Sequence, residues 1–195
     1  MKSRRKSKTR KSSRTVQRCA LPATLALLLS AIGALGVIEL RPQIEVIPEQ
    51  EVEPGQPFSA PFQVENTGYS SLYIERIFFC VRHVQWGGAE IRNSVVSYDR
   101  WANTVLDRGQ GESISSHLLQ SGIPPDEADV VIVIDNRPSK LFPQTERRYF
   151  RFTRFDGPYR GLWAWLKQPS HDIQADVDEQ IQQWRRSTTR LRPGS

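Results

Sequence analysis

The chain has 195 residues, with 27 Lys or Arg, 21 Asp or Glu and a formal net charge of +6 at pH 7. The first eighteen residues contain nine Lys or Arg and no acid, which leaves 18 basic and 21 acidic residues and a net charge of −3 for the remainder. A nucleic-acid-binding domain carries its positive charge on the folded part. The charge distribution therefore argues against nucleic acid as a partner, and the length suits one membrane segment plus one domain.

Residues 1–18 are predicted to be a disordered, basic cytoplasmic tail. The segment consists almost wholly of Lys, Arg, Ser and Thr, so it cannot bury apolar surface. Positive charge next to an apolar segment stays in the cytoplasm, so we expect the N-terminus to face inward and the rest of the chain to face outward. Contact with anionic lipid head groups is compatible with this role.

Residues 19–40 are predicted to be a single transmembrane helix that acts as a signal anchor. The run from Cys19 to Ile38 holds twenty residues without a charge, and as a helix it is about 30 Å long, close to the thickness of the bilayer core. Small residues at both ends of the triplets 31–33 and 34–36 also fit cleavage by a signal peptidase. The length of the apolar run and of the basic region favours a retained anchor, with cleavage and release as the alternative.

Residues 41–168 are predicted to form a mainly β domain, a sandwich of about seven strands. Apolar and polar residues alternate in several segments separated by turn residues about every ten positions. The segments read as strands are 43–47, 58–65, 72–84, 90–101, 112–120, 130–134 and 147–155. The apolar phase flips between Ile74 and Ile77, which predicts a β-bulge near Glu75 and Arg76. The β-branched run at 130–134 predicts a central strand covered on both faces.

Residues 169–195 are predicted to contain a short amphipathic helix and a frayed tail. Apolar residues recur at spacings of four, four and three positions. They form a stripe that consists of Ile173, Val177, Ile181 and Trp184. This period places the helix at 171–187, with Ser170 as its N-cap. Acidic residues lie early in this segment and Arg185 and Arg186 lie late, as the helix dipole favours.

Three short segments carry a family resemblance. They are VEPG at 52–55, FQVENTG at 62–68 and LYI at 72–74. In this order they resemble the turns and strands of bacterial extracytoplasmic immunoglobulin-like domains, over about residues 43–80. The resemblance implies an immunoglobulin-like β-sandwich, a fold that serves in cell envelopes as adhesion module, assembly scaffold or spacer. The chain departs from antibody-type domains because Cys80 has no partner cysteine near the late strands.

No cofactor, metal site or structural disulfide is predicted. Cys19, at the membrane edge, and Cys80, in an apolar strand, are too far apart to pair. Cys80 and His83 fall on opposite faces of a regular strand, so they could not share one ion. The acidic turn formed by Asp126, Glu127 and Asp129 could hold calcium, but a solvated turn is the favoured interpretation.

Two apolar regions are candidate partner-binding surfaces. The first is an aromatic segment at 159–166, after the last predicted strand, which includes Trp163 and Trp165. The second is the helical stripe of Ile173, Val177, Ile181 and Trp184. Large aromatic residues favour interfaces, whereas the alternative for both regions is packing against their own sandwich.

These features favour a non-enzymatic, membrane-anchored interaction or scaffold protein of the cell envelope. We expect one span of the inner membrane, a cytoplasmic N-terminus, an extracytoplasmic C-terminal domain and a protein partner. The alternative is a secreted or periplasmic ligand-binding module released by signal-peptide cleavage. An enzyme is the least favoured class, because no nucleophile elbow or phosphate loop occurs in the sequence.

Overall fold

The computed structural model describes Ser30 and residues 42–49, 62–98, 102–114, 125–138, 144–156 and 163–190. Internal contacts divide the chain into residues 1–40 and residues 41–195, and the second unit is described below. The predicted basic tail and transmembrane helix lie outside the described residues, apart from Ser30. Within the described ranges, no helix has both the length and the apolar character needed to cross a membrane.

The described residues form nine strands and one C-terminal helix, so the predicted mainly β class with a C-terminal helix is confirmed. The strands are β1 (Ile44–Pro48), β2 (Phe62–Asn66), β3 (Leu72–Trp86), β4 (Ala89–Ser97), β5 (Thr104–Leu106), β6 (Gly111–Ile114), β7 (Glu127–Arg137), β8 (Glu146–Asp156) and β9 (Trp163–Gln168). The helix is α1 (Gln174–Arg190). Two strands were not predicted: β5 has three residues and therefore little pattern, and β9 lies in the aromatic segment that was expected to follow the last strand.

Two antiparallel sheets pack face to face. The small sheet has the order β1-β2-β6, and the large sheet has the order β4-β3-β7-β8-β9, with β5 paired to the start of β3. Phe62 of the small sheet packs against the large sheet, with ring centroids 6.0 Å from Phe79, 4.9 Å from Phe152 and 5.5 Å from Trp165. The arrangement is consistent with a β-sandwich.

The opposite face of the large sheet is covered by α1. Phe78 and Cys80 of β3 and Val131 and Val133 of β7 form a second apolar cluster with three side chains from the C-terminal region, namely Ile173, Val177 and Ile181. All of these side chains are buried. The strand β7 is therefore buried on both faces, as the β-branched run at 130–134 predicts.

Two β-bulges interrupt β3 where it pairs with β7. In the first, Ile74 pairs with Asn136 and Arg76 pairs with Asp135, so Glu75 is the extra residue and the predicted bulge is confirmed. In the second, the register shifts between Val81 and His83, so Arg82 is the extra residue.

The second bulge was not predicted, although buried apolar residues three apart, Val81 and Val84, carry its signal. Its presence makes the assumption of a regular strand between Cys80 and His83 wrong, since a bulge changes the alternation of faces. Cys80 and His83 therefore both lie on the side of the large sheet that carries α1.

The start of α1 also differs from the prediction. Residues 171–173 form a turn and the helix begins at Gln174 rather than at 171, and it continues to Arg190 rather than to 187. The Ser170 hydroxyl donates to the carbonyl oxygen of Tyr149 at 3.1 Å, so it ties the turn to β8 rather than capping the helix.

Candidate functional site

The predicted partner-binding residues lie on β9 and in the C-terminal region that contains α1. Trp165 of β9 is buried in the core between the sheets, beside Phe62. Trp163 opens the same strand and pairs with Asp156 of β8. Trp165 thus supports the fold from the face opposite to α1.

The helical stripe packs on its own domain. Ile173, Val177 and Ile181 are buried against the large sheet, while Trp184 is half-buried and places its ring edge-on to Phe78, with centroids 6.0 Å apart. Contact with the domain itself is the alternative that the sequence left open. Partner binding by these six residues stays a prediction, and Trp184 is the member of the stripe with a partly accessible side chain.

A polar groove of about 710 Å³ runs along one side of α1. We call it the arginine groove, because Arg76 of β3, Arg147 of β8 and Arg185 of α1 converge there. Its other lining residues include Glu75, Asn103, Asp135, Thr145, Tyr149 and Asp178. The first bulge of β3 lies at its edge, which places Glu75 and Arg76 next to the helix.

Arg147 joins the sheet to the helix within this groove. Its Nε and Nη2 donate to the two oxygens of Asp135 at 2.6 and 2.8 Å, and its Nη1 donates to Oδ1 of Asp178 at 2.8 Å. The Tyr149 hydroxyl donates to the same oxygen of Asp178 at 2.7 Å. The hydrogen bonds to Asp135 and Asp178 raise the pKa of Arg147. Burial, and then the bond to Asp178, raises the pKa of Tyr149.

The third carboxylate of the groove is also paired. Glu75 lies 2.6 Å from Nε of Arg137 and accepts a hydrogen bond from the Thr145 hydroxyl at 2.8 Å. Each of the three acidic side chains that line the groove therefore already contacts an arginine.

Two guanidinium groups of the groove, those of Arg185 and Arg76, have weaker contacts with carboxylates than Arg147 has. Arg185 reaches Asp135 at 3.5 Å, but its Nε is buried and has no hydrogen-bond partner in the part of the chain that the structure describes. Burial, and then the positive charges of Arg147 and Arg76, lowers the pKa of Arg185. Arg76 is exposed, and none of the described carboxylates lies within ion-pair distance of it. The electrostatics of the groove therefore favour an added negative charge.

A smaller groove of about 370 Å³ lies on the other side of α1. There Asp129 accepts from Arg82 at 2.8 Å and from two nitrogens of Arg151 at 3.0 and 2.9 Å. Gln180 of α1 donates to the Asn93 side chain at 2.6 Å. Polar contacts thus fix the helix on both sides of its apolar stripe.

Two of the residues considered as metal ligands, Asp126 and His83, contact other protein groups. Asp126 accepts from the backbone nitrogen of Gly87 at 2.5 Å, and the His83 ring lies 2.8 Å from Glu90 and 3.4 Å from Glu127. In the part of the chain that the structure describes, no three His, Cys, Asp or Glu side chains are grouped to hold a metal ion.

Cys80 is a free, buried thiol in the apolar cluster beneath α1. Burial raises its pKa from 9.0 to about 12, so the nucleophilic thiolate is disfavoured. The side chain is suited to packing, as the sequence predicts.

The arginine groove was not predicted as a site. Its three arginines are 71 and 38 residues apart along the chain, and no motif connects them. The predicted bulge at Glu75 and Arg76 is the one local signal at its edge, because bulges often redirect side chains next to functional sites.

Comparisons with protein-family models, curated protein sequences and solved structures find no match.

Proposed function

We propose that this protein is a non-enzymatic interaction or scaffold module of the cell envelope, with its domain held outside the cytoplasm by a signal anchor at residues 19–40. The observation that carries the proposal is the charge asymmetry around the uncharged run 19–38. Nine Lys or Arg precede this run, whereas Arg41 is the one basic residue that follows it closely. Such asymmetry places the basic side in the cytoplasm and the following domain outside.

The strand order supports an immunoglobulin-like domain. If β1, β2, β3, β4, β6, β7 and β8 are read as strands A, B, C, C′, E, F and G, the small sheet is A-B-E and the large sheet contains C′-C-F-G. This is how immunoglobulin-like sandwiches divide their strands. The short β5 and the additional edge strand β9 extend that pattern.

The side of the domain that carries α1 is the surface we propose for partner contact. The two non-glycine residues with positive φ among the described ones, Asn93 at 53° and Asn103 at 64°, line the small groove and the arginine groove respectively. Sparsely populated backbone conformations cluster at functional sites. The half-buried Trp184 lies on the same side of the sheet.

The anchor and its orientation are tested by protease accessibility. Protease added to spheroplasts, or to intact cells with a permeabilised outer layer, should digest the chain after residue 41 and leave the basic tail intact. Protection of the folded domain would overturn the orientation.

The interaction role is tested by crosslinking in membranes followed by purification of the tagged chain. Trp184→Ser should reduce the recovery of a specific partner while the domain stays folded, since the side chain is half-buried. Tyr69→Ser is the matched control, because Tyr69 is an exposed aromatic residue in the turn after β2. A set of crosslinked proteins that is the same for wild type and Trp184→Ser would contradict partner contact through this surface.

A ligand-binding module released by signal-peptide cleavage is the second candidate. The small residues at 31–33 and 34–36 favour cleavage, and the arginine groove offers a ligand site. The intact mass of the mature protein separates the two candidates. Loss of about 33 to 36 residues supports release, whereas a retained basic tail supports the anchor.

A further inference from the structure

We propose that the arginine groove binds a carboxylate group presented by an acidic peptide segment of a protein partner. This inference rests on the proposed interaction function and specifies the chemistry by which the partner is recognised. It is carried by the convergence of Arg76, Arg147 and Arg185 beside α1, in a groove of about 710 Å³.

Three carboxylates line the groove among the described residues, those of Glu75, Asp135 and Asp178. Four guanidinium groups line it or pair with these carboxylates, those of Arg76, Arg137, Arg147 and Arg185, so the described groups carry one positive charge in excess. Some guanidinium nitrogens also lack a hydrogen-bond acceptor among the described groups.

Arg185 and Arg76 carry donors that lack a carboxylate contact of this kind. Among the described residues, the buried Nε of Arg185 has no hydrogen-bond partner, and no carboxylate there forms an ion pair with Arg76. A bound anion would satisfy donors that the protein itself leaves open.

The guanidinium groups and the local charge indicate the kind of anion that the groove can bind. Guanidinium groups present planar pairs of donors that match a carboxylate, and Arg147 already binds Asp135 in this way. A phosphate dianion carries two negative charges, whereas a carboxylate carries the single charge that compensates the excess of the described groups. The charge balance therefore favours a carboxylate over a phosphate.

The size and lining of the groove indicate a ligand larger than a single carboxylate group. Its volume exceeds that of a lone carboxylate and falls in the range of sites that hold larger ligands. Asn103 lies at its edge and has an amide that can both donate to and accept from a peptide backbone. An acidic peptide segment fits these features better than a small free acid.

Binding is tested on the full-length chain in detergent by calorimetry or fluorescence anisotropy. The probe is a short Glu-rich peptide with blocked ends, and the comparison probes are its Gln analogue, free glutamate and inorganic phosphate. We expect the Glu-rich peptide alone to bind well, with an affinity that falls as salt is added.

Arg76→Gln should weaken binding about tenfold, because it removes one charge-assisted contact. It should leave thermal stability unchanged, since Arg76 is exposed. Arg186→Gln is the matched control: Arg186 is an exposed arginine next to Arg185 on α1 that does not line the groove, so its loss should leave the affinity unchanged.

Equal affinity of wild type and Arg76→Gln would overturn the proposal, as would tighter binding of phosphate or of free glutamate than of the peptide. Arg185→Gln adds a second variant, but Arg76→Gln decides if Arg185→Gln fails to fold. If the peptide does not bind while membrane crosslinking still recovers a partner, the carboxylate inference fails and the interaction function stands. If the peptide binds and no partner is crosslinked, the interaction function fails instead.

Discussion

The two faces of the large sheet are stabilised in different ways. The face toward the small sheet is mainly apolar, and the ring of Phe62 contacts three aromatic rings there. The face toward α1 has an apolar centre around Phe78 and Cys80, bordered by the ion pairs of Arg147 and Arg82. The first face is held mainly by packing, and the second combines packing with charge and carries the grooves.

The largest loss of stability is expected from a substitution in the core between the two sheets. Phe62→Ala should lower the free energy of unfolding by about 3–5 kcal/mol, because it leaves a cavity among buried aromatic side chains. Chemical denaturation of the full-length chain measures the loss, and Phe62→Leu is the control that keeps most of the volume. A loss below about 1 kcal/mol for Phe62→Ala would contradict its central position, since such a value is ordinary for less critical sites.

A smaller loss is expected beneath α1. Ile181→Ala should cost about 2–4 kcal/mol, because the side chain is fully buried between α1 and the large sheet. The same denaturation experiment measures it, with the exposed Gln182→Ala as control. If Ile181→Ala leaves stability unchanged, the helix does not pack on the sheet in solution and its stripe is free for a partner.

Removal of the ionic link between sheet and helix should have an intermediate effect. Arg147→Met is expected to cost about 1–3 kcal/mol, because Asp135, which is almost wholly buried, loses its two strongest hydrogen bonds. Arg148→Met breaks the more exposed pair with Glu146 and should cost less than about 0.5 kcal/mol. Equal losses for the two variants would show that burial of Asp135 contributes nothing.

The smallest expected effect is the contribution of the Cys80 thiol to the pH dependence of the free energy of unfolding. The pKa of the thiol is about 12 in the folded chain and 9.0 ordinarily, so its contribution to stability is complete below about pH 9 and is lost as the pH rises toward 12. Between these values the unfolded chain releases the proton and the folded chain retains it. Urea unfolding from pH 8 to pH 10 should therefore show a steeper loss for wild type than for Cys80→Ala.

Alkylation gives an independent check on the same residue. Cys80 should resist iodoacetamide in the folded protein and react after denaturation, because the thiol is buried and un-ionised. Rapid labelling under native conditions would mean that α1 opens readily from the sheet.

Local patterns predicted much of this fold because they record which side of an element is buried. The phase flip at Ile74 and Ile77 predicts the first bulge, and the stripe from Ile173 to Trp184 predicts α1. The strand β9 was missed because its aromatic residues have two explanations, a strand or a surface patch, and the sequence does not distinguish them. The bulge at Arg82 could have been predicted in the same way as the first one. Val81 and Val84 are buried apolar residues three positions apart, as Ile74 and Ile77 are.

The sequence by itself determined the charge asymmetry, the uncharged run at 19–38, the mainly β class and the amphipathic helix, because each follows from residues close together in the chain. The tertiary structure decided that α1 covers the large sheet and that Arg76, Arg147 and Arg185 meet beside it. Such convergence depends on strand order and pairing register between distant segments. A periodic pattern specifies which face of an element is buried, but it does not specify which element lies against that face.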